Sequence, residues 1–211
     1  MSIQTELTRI TNAKAAIKTA IEGKGVTVPS DTLLDGMASL IESIEAGGGA
    51  TEPYIEEVID GNGDITNATL HGYTIIRNNA FYNCAKLALA SLSSGLTSIG
   101  NNVFYNCTKL ALTSLPSSLT SIGSTAFNSC TKLALTRLPS SLTSIGSTAF
   151  YNCLGLESLT FEGKPKSISK SAFKECTNLT TINVPWAPGA VADAPWGAIN
   201  ATINYNFTGG A

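Results

Sequence analysis

The sequence predicts an α+β protein: a leucine-containing solenoid of about five 23-residue units with β caps, preceded by an N-terminal helical hairpin. Three observations predict it: a fixed 23-residue period, heptad spacing of apolar residues near the N-terminus, and a glycine run between these two regions. The chain has 211 residues, of which 43% are apolar, so it can bury a core of this size.

The first predicted element is a helical hairpin in residues 1–46. Apolar residues and one lysine form a heptad seam with alternating steps of four and three: Ile3, Leu7, Ile10, Lys14, Ile17 and Ile21. A second helix is predicted after Ser30, which is a suitable N-cap. Its apolar face consists of Leu33, Met37, Leu40 and Ile44. The seam packs within the hairpin or on the solenoid, or it drives self-association into a homo-oligomer. Residues 47–52, which are rich in glycine, predict a flexible linker.

Residues 53–75 predict a β-hairpin that caps the first coil, because apolar runs lie on both sides of an Asn-Gly turn. The same loop matches the first half of a calcium-binding loop through Asp60, Asn62 and Asp64. It has Ile65 where such a loop needs glycine and His71 where it needs glutamate. We therefore expect a cap and no calcium site.

The solenoid is predicted in residues 76–185 by positions that recur every 23 residues and stay apolar in every unit. These are Phe81, Phe104, Phe127, Phe150 and Phe173; Cys84, Cys107, Cys130, Cys153 and Cys176; Ile76, Ile99, Ile122, Ile145 and Ile168; Leu87, Leu110, Leu133, Leu156 and Leu179; and Leu92, Leu115, Leu138, Phe161 and Val184. A period of about 20 to 29 residues with several leucines per unit is typical of a leucine-rich-repeat solenoid, in which each coil buries its apolar residues against its neighbours.

Each unit predicts two short strands and a tight turn. In one unit, the first strand ends at Leu115 and Pro116, and the second is residues 119–122. Proline suits the end of a strand because it has no N–H to donate there. The turn places a small residue before the phenylalanine, whose ring would fill the centre of the coil. Glycine follows the repeat isoleucine in three units, but Arg77 and Ser169 replace it in two others, which argues against a compulsory positive φ.

Three units depart from the pattern in the first strand. Leucine comes one residue earlier than in the other units, at Leu89, Leu112 and Leu135. If the strand register is kept, these side chains point outward and form an apolar binding stripe. If a local bulge shifts the register, they point inward. The sequence leaves both orientations open.

Residues 186–211 predict a C-terminal cap. This region contains Trp186 and Trp196, which are followed by INATINYNF (199–207). A solenoid needs a closing element at each end, because its last coil would otherwise expose apolar side chains. We expect the two indole rings to be buried under this cap.

The repeat resembles the BspA-type (treponemal-type) leucine-rich-repeat family, whose units read roughly C-x-x-L-x-x-I-x-L-P-x-x-L-x-x-I-G-x-x-A-F. CTNLTTINVP (176–185) and SISKSAF (167–173) show the pattern clearly, and the resemblance covers about residues 70 to 186. It implies the solenoid fold. Members of that family are commonly surface-exposed adhesion or host-interaction proteins, although fold alone does not fix function.

Both ends of the chain are similar to tail-associated proteins encoded by prophages of gut Firmicutes. The matching stretches are GVTVPSDTLLDGMASLIESI (25–44) and APWGAINATINYNFTG (194–209). This resemblance implies a virion tail or baseplate accessory protein.

Composition and motifs exclude several function classes. Charged residues make up 13% and the net charge is −2, which gives no electrostatic footprint for nucleic acid. No stretch approaches the run of about 18 apolar residues that membrane insertion requires, and the N-terminus has no apolar core of an ordinary signal peptide. His71 is the single histidine, and the cysteines lie 23 residues apart, so no catalytic triad or zinc motif can be assembled. We expect no enzyme activity, no metal, no cofactor and five reduced, buried cysteines.

The two resemblances, together with the lack of catalytic motifs, imply a non-enzymatic binding or adhesion protein of a phage tail, which presents a leucine-rich-repeat surface to a host-cell glycan or protein. The expected location is the virion tail or the extracellular cell surface. Two alternatives are a structural or assembly spacer of a tail and a secreted bacterial surface adhesin. Besides the three early leucines, the candidate surface residues are Ser91, Ser114, Arg137, Thr160 and Asn183.

Overall fold

The computed structural model describes residues 54–60, 62–89 and 91–208. The helical hairpin predicted for residues 1–46 and the linker predicted for residues 47–52 lie outside these residues. The described residues fall into two compact units, residues 54–58 with 69–72 and residues 59–68 with 73–208. All regular elements in the described part of the chain are β-strands, so the α part of the predicted α+β class is not seen there.

Eleven strands in the described residues form three sheets. A two-stranded sheet contains β1 (Tyr54–Ile59) and β2 (Ile65–His71). The second sheet, called here the isoleucine sheet, has the order β3 (Ile75–Ile76), β4 (Ser98–Ile99), β5 (Ser121–Ile122), β7 (Ser144–Ile145), β9 (Ser167–Ile168). The third, called here the binding sheet, has the order β11 (Thr202–Asn204), β10 (Thr181–Asn183), β8 (Ser158–Phe161), β6 (Arg137–Leu138).

Within the isoleucine sheet and within the binding sheet all strands are parallel, and their pairing joins each coil of the solenoid to the next. In the isoleucine sheet each residue pairs with the residue 23 positions further along, for example Ile99 with Ile122. The solenoid has about six turns rather than the five counted in the sequence. The additional turn ends in β11, where Thr202 pairs with Thr181 two positions short of the 23-residue step. This shorter step and the loss of the repeat phenylalanine and cysteine hide that turn from a search for an exact period.

The phenylalanine rings form one stack through the centre of the solenoid. All five rings are fully buried, and neighbouring ring centroids lie 5.2 to 5.5 Å apart with interplanar angles of 1° to 17°. Offset aromatic pairs add about 0.5–1.5 kcal/mol each beyond the burial of their area. At the C-terminal end, Phe161 contacts Trp186 and Trp196, which are both buried as expected. The prediction that the repeat aromatic fills each coil is confirmed.

In the three units that have it, the glycine after the repeat isoleucine is favoured by lack of space and not by its own backbone angle. Gly123 has no positive φ, but a Cβ there would lie 2.5 Å from the carbonyl carbon of Gly100 in the preceding coil. The left-handed conformation occurs two residues later, at Asn102 and Thr125, whose φ angles are 55° and 54°. Close approach of successive coils therefore selects glycine at this position.

Four buried cysteine thiols tie each coil to the one before it. Each Sγ donates a hydrogen bond to the carbonyl oxygen of the phenylalanine in the preceding coil, at 2.9 to 3.1 Å, in Cys107, Cys130, Cys153 and Cys176. None of the five cysteines is in a disulfide. The prediction of full burial is wrong for Cys84, which is half-buried because it belongs to the first coil of the array.

Burial makes these thiols harder to ionise. It raises the pKa of Cys107 and of Cys176 to about 12 and raises the pKa values of Cys130 and Cys153 well above the ordinary value. An unfolded cysteine ionises near pH 8.5. Between about pH 8.5 and 12 the folded state therefore holds more protons than the unfolded state, and the free energy of unfolding falls as the pH rises.

We expect the Cys130→Ala variant to lose less stability with rising pH than the wild type. Each buried thiol steepens the decline by about 1.4 kcal/mol per pH unit above pH 8.5, and the variant has one such thiol fewer. Urea denaturation at a series of pH values from neutral to alkaline measures the difference, and other titrating groups cancel in it. Parallel curves for the two proteins would show that Cys130 is not buried as a neutral thiol.

Candidate binding surface

The outer face of the binding sheet carries a row of polar side chains in register. Arg137 pairs with Thr160, Thr160 with Asn183, and Asn183 with Asn204. Strand residues alternate in direction, so the neighbours Leu138, Phe161 and Val184 are buried while this row faces outward. Three of the five polar surface residues predicted from sequence, Arg137, Thr160 and Asn183, are thus brought together.

Hydrogen bonds order the amide end of this row. Asn204 donates from Nδ2 to Asn183 Oδ1 at 2.8 Å, and Asn183 donates from Nδ2 to Thr160 Oγ1 at 3.1 Å. At the other end, Arg137 lies 3.5 Å from Glu162, and the two side chains are 65% and 42% exposed. An exposed pair of this kind contributes little to stability, so its charges are available to a partner.

Ser91 and Ser114 are exposed, but neither lies in a strand. Their coils precede β6, which is the first strand of the binding sheet. The two serines therefore lie in coils that come before the sheet and contribute no strand to it. The sequence-based assignment of these two serines to surface strands is wrong in this respect.

The three early leucines are buried and cannot form an apolar binding stripe. Leu89, Leu112 and Leu135 are 2%, 0% and 2% exposed. Their coils deviate from a straight strand, as the bulge alternative requires, because in a strict register these side chains would point to solvent. Of the two orientations that the sequence left open, the inward one is found, and these leucines belong to the core.

An open cleft lies between the coil that contains Leu135 and the next coil, which contains strand β8. The cleft has a volume of about 260 Å³ and is lined by Ala134, Leu135, Thr136, Gly155, Glu157 and Ser158. A Cβ at Gly155 would lie 2.5 Å from the carbonyl oxygen of Leu133, so glycine keeps the two coils close below the cleft. In the sequence the cleft corresponds to the change from LALT (133–136) to LESL (156–159) between neighbouring units, which strand alternation alone does not mark as a site.

The acidic loop of the hairpin binds a lysine of the chain itself. Lys86 Nζ lies 2.7 Å from Asp60 Oδ2 and 2.8 Å from Asp64 Oδ2. The hydrogen bond from Lys86 lowers the pKa of Asp60 to about 2, with help from the backbone amides of Asn62 and Asp64. In the part of the chain that the structure describes, no group of His, Cys, Asp and Glu side chains could hold a metal ion.

Comparison with known proteins identifies the repeat. Residues 74–188, more than half of the chain, match the BspA type leucine-rich repeat region in six copies. The chain belongs to the BspA-type leucine-rich-repeat family.

Two solved structures of leucine-rich-repeat proteins are similar to this BspA-type chain. The protein from T. pallidum shares 25% identity with a TM-score of 0.53, and the match covers 73% of this chain and 80% of that one. The protein from Bacteroides ovatus shares 20% identity with a TM-score of 0.42, over 65% of this chain and 47% of that one. No curated protein sequence matches significantly.

The BspA-type solenoid is a scaffold of the kind that binds proteins or mediates adhesion. Its repeats supply surface positions in register, and the chemistry of those positions is set by residues that the core does not constrain. The described part of the chain contains no helix with the length and apolar content needed to cross a lipid bilayer.

We expect Leu112→Ala to lower the free energy of unfolding by about 2–5 kcal/mol, because it leaves a cavity at a fully buried site. Ser114→Ala, two residues away on the exposed side, should change it by less than about 0.5 kcal/mol. Urea denaturation of both variants measures these values. Similar small effects for the two would contradict the inward orientation of the early leucines.

Proposed function

We propose that this chain is a non-enzymatic adhesion protein whose binding sheet docks a protein on a cell surface. The observation that carries the proposal is the open cleft of about 260 Å³ beside the polar row of Thr160, Asn183 and Asn204. A side chain of the partner would enter the cleft, and its backbone would bond to the amides and hydroxyls of the row.

The chemistry of this surface favours a partner recognised mainly by hydrogen bonds. Within the row, the amide groups of Asn183 and Asn204 are preoriented by their mutual bond, which reduces the conformational entropy lost on binding. Glu157 at the cleft and the exposed Arg137 and Glu162 provide the few charges nearby. Specificity would then come from matching polar groups, since an unmatched buried donor or acceptor costs about 1–3 kcal/mol.

We expect Ser158→Tyr to abolish binding of the purified protein to intact host bacteria, because the ring fills the cleft. Ser167→Tyr is a matched control, since Ser167 is also exposed and also the first residue of a strand, but in the isoleucine sheet. Binding is measured by flow cytometry with fluorescent protein. Protease treatment of the cells should remove the partner and reproduce the effect of Ser158→Tyr. Equal binding by both variants would refute the role of the cleft.

The proposed location is the tail of a phage particle. It is supported by the resemblance of both chain ends to prophage tail proteins. In this arrangement residues 1–46 attach the protein to the tail, residues 47–52 act as a linker, the hairpin of residues 53–75 and residues 186–211 close the two ends, and residues 76–185 reach the cell. A spacer or assembly component of a tail and a secreted bacterial surface adhesin are the competing functions.

The heptad seam supports the first of these competitors. If the helices associate between copies, the full chain should be a dimer or trimer in light scattering, and Ile10→Asp should convert it to a monomer. A monomeric wild type would remove both the homo-oligomer and the spacer function. An oligomer that fails to bind cells would favour the spacer over adhesion.

A further inference from the structure

A second row of surface residues, exposed at its two ends and half-buried in between, lies in the turn that follows the phenylalanine stack. Its members occupy the same place in successive coils: Tyr82, Tyr105, Asn128, Tyr151 and Lys174. Backbone hydrogen bonds between coils hold the row in register. The residue after each row member donates its N–H to the carbonyl oxygen of the row member in the next coil; Asn106, for example, donates to Asn128. These bonds measure 2.7 to 3.0 Å.

The tyrosines of this row are aromatic side chains at the surface: Tyr82 is exposed, and Tyr105 and Tyr151 are half-buried. The rings of Tyr82 and Tyr105 are stacked, with centroids 4.9 Å apart and an interplanar angle of 8°, and Tyr82 is 52% exposed. The adjacent amides are hydrogen-bonded, since Asn106 donates from Nδ2 to Asn83 Oδ1 at 2.6 Å. The row thus combines flat apolar faces with amide groups, which is a combination that suits a sugar ring.

Asn128 leaves a gap in the aromatic row. It lies between Tyr105 and Tyr151, which are two coils apart, or about 10 Å at the usual strand spacing of about 4.8 Å. A ring held between two others needs about 7–8 Å, since carbon atoms in contact lie about 3.5–4.0 Å apart. Ser129 donates to Asn128 Oδ1 at 2.9 Å, and the amide N–H groups of Asn128 have no acceptor among the described residues.

Two lysines on the same coils have no acidic partner among the described residues. Lys109 and Lys132 are exposed, and each follows a threonine whose Oγ1 donates to a carbonyl oxygen of the preceding coil. These bonds measure 3.2 Å from Thr108 to Ala85 and 3.4 Å from Thr131 to Thr108. The two ammonium groups therefore belong to adjacent coils, where like charges repel. Lys86, at the same repeat position in the first coil, is neutralised by the hairpin aspartates. An anion bound at Lys109 and Lys132 would do the same for these two.

We propose that the turn face centred on Asn128 binds an acidic polysaccharide. One pyranose ring lies in the gap between Tyr105 and Tyr151, its hydroxyls accept from the Asn128 amide, and its acidic groups contact Lys109 and Lys132. This site is separate from the binding sheet and does not depend on the proposed protein partner. A single-stranded nucleic acid also combines rings and negative charge, and binding of oligo(dT) distinguishes it from an acidic polysaccharide.

Four polymers test the chemistry of the site with the full chain. Polygalacturonate has acidic pyranose rings, dextran has neutral ones, polyglutamate has charge without rings, and oligo(dT) has charge with bases. We expect measurable binding to polygalacturonate alone, weakened by added salt because the lysines are exposed. Equal or tighter binding to polyglutamate, dextran or oligo(dT), or no binding to polygalacturonate, would overturn the proposal.

Variants then locate the site. The double variant Lys109→Gln and Lys132→Gln should bind polygalacturonate about tenfold more weakly, as expected from two exposed charge contacts. The matched double variant Lys164→Gln and Lys166→Gln removes two exposed lysines elsewhere and should bind normally. A loss confined to this control pair would place the anion on the last coils and refute the site.

Asn128→Tyr tests the gap directly. It completes the tyrosine row, so the protein should fold with an unchanged urea midpoint, but the sugar ring is displaced and binding falls at least tenfold. Tighter binding by this variant would show that the ligand binds along a continuous tyrosine surface and would refute the binding site at Asn128. Ser158→Tyr should leave polygalacturonate binding intact, which separates this site from the cleft of the binding sheet.

Discussion

Backbone hydrogen bonds between coils 23 residues apart determine the rest of this structure. The N–H of Gly123 bonds to the carbonyl of Ile99 at 2.8 Å, and the N–H of Phe104 bonds to the carbonyl of Ala126 at 2.8 Å. Since such bonds recur in coil after coil, equivalent residues are brought to nearly the same position one coil apart. The side chain at each position must then be compatible with a copy of itself directly above and below. Phenylalanine meets this condition inside by stacking, and serine, threonine and asparagine meet it outside by hydrogen bonding.

The same close spacing explains the residues that are unusual for their positions. Gly123 and Gly146 have no room for a Cβ, because backbone atoms of the previous coil lie about 2.5 Å from where it would be. Thr125 and Thr148 adopt positive φ although β-branched residues rarely do so, and the strain is offset by the bonds that the turn makes to the next coil. Thr125 also donates to the side chain of Asn102 and to the carbonyl of Ser124. Side chains that face solvent have more room than these, and it is at their positions that the coils differ most.

Much of the fold could be predicted from sequence because the phenylalanine, cysteine and isoleucine rows depend on the period alone. The orientation of Leu112 could not be, since it depends on whether the strand bulges, and both registers bury a plausible set of side chains. The turn ending in β11 was missed because its pairing with β10 departs from the 23-residue step. At the candidate sites, the polar row followed from strand alternation, whereas the cleft arises from a mismatch between neighbouring coils that no single unit contains. The tyrosine row follows the 23-residue period, but the period alone does not distinguish it from the polar turn residues around it.

The thiol bonds described above also bear on how the array can change in length. Every buried thiol donates to the coil before it, and every such coil offers a phenylalanine carbonyl, so donor and acceptor are supplied by the same 23-residue unit. Duplicating or deleting one whole unit therefore leaves each remaining thiol with an acceptor and each ring with a neighbour. Changes of any other length would break both rows at once. Repeat number is thus a variable that the fold tolerates, and with it the reach of the solenoid and the number of surface positions presented in series.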